Sequence, residues 1–276
     1  MKICFTKMHG AGNDYVYVSE FDHKIEAPEK LAPALSDRRK GIGGDGLILI
    51  GPSKIADFRM RIFNNDGSEA QMCGNGSRCV AKFVYDHCLT SKEELALETG
   101  AGIKKLRLSL GEDGKVSCVT VAMGKPLFSN PKQFTPSALE TYEMKVDGKT
   151  YLGKYICMGN PHFVIPVDDV ESLDIARTGS QIENMTGIFP EKVNVEFAQR
   201  IDDSTIRMRV WERGSGITAA CGTGACATAV AAISMFGSCP VQTIKMDGGD
   251  VKIEWNGGEA FMTGPAVEVF QGIIEI

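Results

Sequence analysis

Arg59-Met60-Arg61-Ile62-Phe63, followed by Cys73-Gly74-Asn75-Gly76, returns later in the chain as Arg207-Met208-Arg209-Val210-Trp211 and Cys221-Gly222-Thr223-Gly224. Both segments recur at an offset of 148 residues, and Gly12-Asn13 recurs as Gly159-Asn160 at 147. A valine-rich run follows each Gly-Asn, at 15–18 and at 163–167. Three matches in one order at nearly one offset indicate a duplicated domain. The period is far too long for a solenoid, so the chain is two copies of one domain. A ligand site is expected where such copies meet.

Most of the local pattern is strand. Residues 47–50, 60–63, 106–110, 116–122, 207–211, 251–255 and 267–270 are short alternating or β-branched runs bounded by Gly, Asp and Asn. Asn256-Gly257-Gly258 is a turn signal. Two helices stand out, one after each Cys-Gly-x-Gly. In the first, over 75–86, Arg78, Lys82 and Asp86 share one face, and Cys79, Val80, Phe83 and Val84 cover the other. The second, over 223–236, is small or apolar all round and should be fully buried. Short strands with one small-residue helix, made twice, predict a mixed α/β (α+β) protein. Each of its two pseudo-symmetric domains is a curled, mostly antiparallel sheet around a central helix. The expected bounds are 1–120, with 265–276 returning to it as a strand, and 121–264. The stretch 130–141, with two prolines, reads as a linker or surface loop.

The chain has 276 residues, 43% apolar and 24% charged, which is ordinary globular composition and excludes disorder, collagen and coiled coil. A formal net charge of −5 argues against a nucleic-acid surface. MKICFTKMHG lacks the apolar core of a signal peptide, and no apolar run reaches membrane-spanning length, so a cytoplasmic address is expected. Nine cysteines is an odd number, without a CxxC pair, and there are four histidines. Neither a disulfide framework nor a metal site is expected.

Gly41-Ile42-Gly43-Gly44-Asp45-Gly46 fits GxGxxG letter for letter, but a basic run precedes it and a strand pattern follows it. A dinucleotide loop needs the reverse order, so the stretch reads as a turn that can line a pocket.

Cys73 and Cys221 each stand at a helix start before Gly-x-Gly. A free thiol titrates near about 8.5, and one pKa unit is about 1.4 kcal/mol. A helix N-terminus supplies about 0.3–1 kcal/mol, up to about 2 when partly buried. That can bring one thiol near neutrality. It cannot ionise both, because the first thiolate opposes the second. A pair holding one proton has a base on one side and an acid on the other, which suits inversion at a carbon. The bare amides of the same helix starts suit an α-carboxylate. One such motif alone is better explained by a structural cysteine in a tight turn. Two at matching places in a duplicated chain favour catalysis.

Several segments resemble the diaminopimelate epimerase family of cofactor-independent amino-acid racemases and epimerases. They are Met8-His9-Gly10-Ala11-Gly12-Asn13-Asp14, residues 63–69 with Cys73-Gly74-Asn75-Gly76, Met158-Gly159-Asn160-Pro161-His162, and Trp211-Glu212-Arg213-Gly214 with Ala220-Cys221-Gly222-Thr223-Gly224. The resemblance covers essentially the whole chain. It implies an isomerase that converts LL- to meso-diaminopimelate in lysine and peptidoglycan precursor synthesis, without pyridoxal phosphate or metal. It implies Cys73 and Cys221 as the acid/base pair, assisted by His162 and Glu212. The amides of Gly74, Asn75, Gly222 and Thr223 would hold the α-carboxylate, and Asn13, Asn64, Asn160, Asn194, Glu212 and Arg213 the rest of the substrate. Asn side chains both donate and accept, which suits a zwitterion, and Arg213 can grip a distal carboxylate bidentately. The implied partners are a small-molecule substrate and a second copy of the chain, with no nucleic acid or membrane. The alternative is a racemase of proline, glutamate or histidine from the same superfamily. Asn75, where proline racemases carry histidine, argues against the first of these. Ile217 and Gly46 depart from the acidic residue and the glutamine common in the family, and both bear on substrate selection.

Overall fold

The computed structural model describes residues 2–22, 24–136 and 141–275. The elements run β1 (Lys2–Gly10), β2 (Asn13–Ser19), α1 (Pro28–Ser36), β3 (Gly46–Gly51), β4 (Phe58–Asn64), β5 (Glu69–Ala70), α2 (Gly74–Asp86), β6 (Glu94–Thr99), β7 (Gly102–Leu110) and β8 (Val116–Gly124). They continue with β9 (Tyr142–Val146), β10 (Lys149–Cys157), β11 (Pro161–Pro166), α3 (Ile175–Glu183), β12 (Asn194–Arg200), β13 (Thr205–Glu212), β14 (Gly216–Thr218), α4 (Gly222–Phe236), β15 (Val241–Met246), β16 (Gly249–Glu254), β17 (Ala260–Pro265) and β18 (Val267–Glu275). This is a mixed α/β fold, mostly sheet. The chain divides into two compact units, Met1–Ala122 with Thr263–Ile276, and Met123–Met262.

The two units share one topology. In the first, β1 pairs antiparallel with β2 and β18, β2 runs parallel to β3, and β3 antiparallel to β4. β4 then pairs antiparallel with β5 and parallel with β6, which is antiparallel to β7. In the second, β10 pairs antiparallel with β9 and β11, β11 runs parallel to β12, and β12 antiparallel to β13. β13 pairs antiparallel with β14 and parallel with β15, which is antiparallel to β16. A parallel pair needs a crossover between its strands. The four helices supply the four crossovers, α1 and α2 in the first unit, α3 and α4 in the second. The duplication visible in a few motifs therefore extends through the whole topology.

The charged face of α2 is largely withdrawn from water. Arg78 is fully buried and its Nε donates to the Pro265 carbonyl at 3.2 Å. Lys82 pairs with Asp86 at 2.6 Å and donates to Val116 O, while Asp86 accepts from Val116 N at 2.9 Å. Spacing cannot tell a solvated stripe from one that satisfies the end of a strand, and here the stripe fastens the helix to β8. α4 is buried from Gly224 to Ala232 and touches six strands, β10 to β13, β15 and β16, but its last turn leaves the core and Ser234 is exposed, so the helix is not buried along its whole length. Its small side chains let the sheet curl closely around it.

Neither α1 nor α3 stands out in the sequence, yet both carry start signals. Pro28 opens α1, and the Asp174 side chain accepts from Arg177 N at the start of α3. α3 covers the sheet face that carries Phe163, Val195, Phe197 and Trp211, a core that also holds Phe134 and Phe189. Phe134 stacks on Tyr155 at 4.8 Å, so the stretch 130–136 is anchored in this core instead of lying free on the surface. Residues 137–140 of that stretch lie outside the described residues.

Glycine to alanine in a helix normally gains about 1 kcal/mol. At Gly179 of α3 a Cβ would lie 2.4 Å from Trp211 Cβ and 2.6 Å from its Cγ. Overpacking of this kind costs about 1–3 kcal/mol, so it wins. Gly179→Ala should lower the thermal midpoint, by about 2–4 °C per kcal/mol, in a calorimetric scan.

Candidate active site

In the first unit the site is built on the start of α2. Cys73 is the N-cap residue, with its backbone extended, and its sulfur accepts from Gly76 N at 3.2 Å. That takes one of the first-turn donors. The amides of Gly74 and Asn75 precede the first intrahelical bond, from Ser77 N to Cys73 O, so the helix offers them no partner. The Cys73 thiol donates to Asn13 Oδ1 at 3.3 Å, and Asn13 Nδ2 donates to Asp45 Oδ2 at 2.7 Å. Asp45 also receives Arg38 at 3.0 Å, and Arg38 and Lys7 both grip Asp14. Burial alone would raise the Asp14 carboxyl, but the hydrogen bonds and charges of Arg38 and Lys7 outweigh it and hold the group below the usual range. Asn64 closes β4, and its Nδ2 donates to Ser68 Oγ at 3.0 Å.

The glycine-rich loop belongs to this network. Its amides at Gly41, Ile42, Gly43 and Gly44 bond carbonyls of Asp37, Leu35 and Ser36 at the end of α1, and that of Asp45 bonds Asp14 O. Backbone donors spent on a helix end cannot cradle a phosphate. The loop positions Asp45.

In the second unit the same start recurs. Cys221 caps α4, and its sulfur accepts from Gly224 N at 3.4 Å. Gly222 and Thr223 supply the first-turn amides that precede the bond from Ala225 N to Cys221 O. Thr223 Oγ1 lies 3.5 Å from the sulfur, and Asn160 Nδ2 donates to that hydroxyl at 3.4 Å. His162 Nε2 is 3.0 Å from Asn160 Oδ1, and its Nδ1 is 2.6 Å from Glu196 Oε1. Glu212 accepts from the Thr218 hydroxyl. Asn194 is buried, with both ends of its amide on backbone: Nδ2 donates to Pro161 O, and Oδ1 accepts from Arg213 N, each at 2.9 Å. It ties β11 to the chain after β13. Arg213 is exposed and donates to Glu191 O at 2.7 Å.

A helix N-terminus should depress a thiol, but Cys221 goes the other way. Burial raises it well above the ordinary value, and the charges of Glu212 and Glu196 raise it further, against the hydrogen bonds of Thr223 and Gly224. Burial likewise raises the Glu212 carboxyl, helped by Glu196 and opposed by Thr218, His162 and Cys221. Two carboxylates and a thiol in one dry place hold fewer charges than groups.

Glu196, Thr218 and Asp45 do not emerge from the motifs. Glu196 leaves a signal nonetheless, being a lone charge within the apolar run Val193-Asn194-Val195-Glu196-Phe197. Strand register explains its place. His162 pairs with Asn194, and Glu196 with Val210, so period-two alternation sets His162, Asn194, Glu196 and Glu212 on one face of β11, β12 and β13. Among the described residues no group of three acids, cysteines or histidines could hold a metal ion.

A sequence profile of the diaminopimelate epimerase family matches residues 5–129 and 154–269, which include every candidate residue named above. The chain belongs to the diaminopimelate epimerase family. This is a family of isomerases that work without pyridoxal phosphate. The diaminopimelate epimerase of Phocaeicola vulgatus is 53% identical over 278 residues, covering 99% of both chains, and that of Bacteroides thetaiotaomicron 54% over 276, covering 99% of this chain and 98% of the other. Solved structures share the fold at low identity. A Bacillus anthracis phenazine biosynthesis protein superposes with a TM-score of 0.72 at 16% identity over 100% of both chains. A hydroxyproline epimerase from Agrobacterium vitis superposes with 0.69 at 16%, over 99% of this chain and 91% of that one. No helix among the described residues is long and apolar enough to cross a membrane.

With its pKa raised, the Cys221 thiol stays protonated through neutral pH and gives up its proton in alkali. The thiolate absorbance that is lost in Cys221→Ala should therefore develop above the ordinary thiol range of about 8.5. An ultraviolet pH titration of wild type against the variant measures this, and a midpoint at or below that range would contradict it.

Proposed function

We propose that this chain interconverts LL- and meso-diaminopimelate by passing one proton in and one proton out through Cys73 and Cys221, with no cofactor and no metal. The observation that carries this reading is the repeated helix start: a cysteine sulfur on the third amide, two further amides left over, once in each unit. The leftover amides of Gly74, Asn75, Gly222 and Thr223 bind the α-carboxylate and take up the charge that spreads into it as the Cα–H bond breaks. Cys73, as thiolate, removes the α-proton from one face. Cys221, as thiol, delivers its proton to the other. The carbon is inverted and the enzyme is left with a Cys73 thiol and a Cys221 thiolate.

The reverse direction needs Cys221 to lose its proton first. Glu212 suits this, since a carboxyl raised towards neutrality accepts and returns a proton readily. His162 assists from the same face. Asn13 and Asn160 orient the substrate beside the two thiols, and Asn64, Asn194 and Arg213 complete the site, Arg213 with its free guanidinium edge on the distal carboxylate. We take residues 1–120 with 265–276, and 121–264, as the two epimerase domains. The enzyme acts in the cytoplasm, in lysine and peptidoglycan precursor synthesis. Val267, Val269, Phe270 and Ile273, all exposed on β18, favour a homodimer.

Replacing either Cys73 or Cys221 by alanine should abolish inversion, because one proton partner is gone. Each variant keeps one base, so any slow deuterium uptake at the α-carbon should come from one stereoisomer, and from opposite ones in the two variants. Proton NMR of LL- and meso-substrate in deuterated water reads this, and near-normal inversion by either variant would exclude the two-thiol mechanism. Arg213→Met separates the epimerase from a racemase of another amino acid. A hydrogen bond to a charged group contributes about 1.5–3 kcal/mol, so kcat/KM on diaminopimelate should fall about 10-fold or more. An amino acid without a distal carboxylate should be unaffected.

A further inference from the structure

Glu183 is the last residue of α3 and is 5% exposed. A carboxylate there is doubly disfavoured. It gives up water, and it sits at the end of a helix that already carries partial negative charge. Three donors offset this. Oε2 accepts from the Trp211 indole Nε1 at 2.7 Å, and Oε1 from Gly214 N at 3.0 Å, with Lys192 Nζ at 3.4 Å. Burial alone would raise the carboxyl, but the hydrogen bonds of Trp211 and Gly214 and the charge of Lys192 outweigh it and hold the group below the usual range. An indole and a backbone amide can only donate, so the direction of these bonds is fixed by chemistry.

Tying down a helix end needs none of this, since an apolar residue would pack there without the desolvation cost. What the three donors have in common is Arg213. Trp211 and Gly214 stand on either side of Glu212-Arg213 in the β13–β14 hairpin. Lys192 closes the turn 189–192, where its amide bonds Phe189 O, and Glu191 O of that turn accepts from the Arg213 guanidinium at 2.7 Å. One carboxylate therefore grips both segments that hold the arginine: the hairpin that carries its backbone and the turn that receives its side chain. α3 is shaped for this. Gly179 lies one turn before Glu183 on the same face, and a Cβ there would lie 2.4 Å from Trp211 Cβ. The bare glycine lets the tryptophan rest on the helix with its N–H on the carboxylate. The hairpin turns through Gly214 and Gly216, with φ of 77° and 82°, and two glycines give it little stiffness of its own.

We propose that Glu183 is a positioning residue for substrate recognition, a buried clamp that joins the 189–192 turn to the β13–β14 hairpin and so fixes where the Arg213 guanidinium stands. It meets no substrate. Its effect on substrate rests on the reading of Arg213 as the partner of the distal carboxylate, whereas the clamp itself does not.

Glu183→Gln keeps the shape and removes the charge. An amide has one accepting oxygen, so whichever way it turns, either the indole N–H or the Gly214 N–H loses its partner. Trp211→Phe keeps an aromatic ring and removes the indole N–H. The first measurement, in the full-length protein, is the proton–nitrogen-15 spectrum of the indole N–H groups. The chain has two tryptophans, and Trp255, whose Nε1 donates to Gly258 O at 3.0 Å, is the internal reference. The Trp211 signal, assigned by its loss in Trp211→Phe, should move upfield in Glu183→Gln while that of Trp255 stays. The second is kcat and KM on diaminopimelate, in the wild-type and in the Arg213→Met background. Glu183→Gln should raise KM about tenfold with kcat within about threefold, and Trp211→Phe should raise KM about threefold. In Arg213→Met neither change should raise KM further, because the group they misplace is gone. A Trp211 signal that does not move overturns the proposal. So does a KM effect of the same size in both backgrounds, which is what a general loosening of the fold would give. If Glu183→Gln does not fold, Trp211→Phe decides, and an unchanged KM in that variant overturns the proposal. A shifted Trp211 signal in a protein whose wild type does not turn over diaminopimelate would uphold the clamp and sink the assigned reaction instead.

Discussion

A helix begins with N–H groups that its own carbonyls cannot reach. In this protein a cysteine sulfur takes one of them, at Gly76 in α2 and at Gly224 in α4, and leaves the two before it unclaimed. The rest of the architecture serves that arrangement. The sheets curl around α2 and α4, so each helix start is held within its unit. The second glycine after each cysteine permits close packing, since a Cβ would lie 2.8 Å from Ile48 Cδ1 at residue 76 and 2.6 Å from Glu196 Oε1 at residue 224. A sulfur that caps a helix is held in one direction by the amide it accepts from.

The two units repeat one topology but surround their thiols differently. Beside Cys73 stands an amide, Asn13, backed by Asp45 and by the ion network of Lys7, Asp14 and Arg38. Beside Cys221 stand two carboxylates, a histidine and a threonine in a dry setting. The second arrangement pushes a proton onto sulfur. Duplication supplies two equivalent helix starts, and divergence of the residues facing them gives the two thiols unequal surroundings.

Polar groups set in phase on apolar strands are the means of that divergence. Asn194 and Glu196 on β12, His162 on β11 and Glu212 on β13 share the face that looks toward α4, while Val195, Phe197 and Trp211 fill the opposite face with α3. The first face carries the polar groups and the second the apolar core. The same alternation lets a single strand serve both without either intruding on the other.

The duplicated domains, the two thiols at helix starts and most strands follow from the sequence alone, because repetition and short-range periodicity are local properties. The family follows from the same motifs. What the glycine-rich loop does, and whether the Arg78-Lys82-Asp86 stripe meets water, were decided by carbonyls at residues 35–37 and by Val116 and Pro265, which no local pattern brings near. α1 and α3 are only nine residues each, so their apolar faces repeat too few times to stand out along the chain. The direction of the Cys221 shift is the plainest case. The helix start that lowers a thiol is visible in the motif, but the burial and the two carboxylates that raise it come from β12 and β13, and electrostatics in a dry site depends on distance through space, to which position along the chain is no guide.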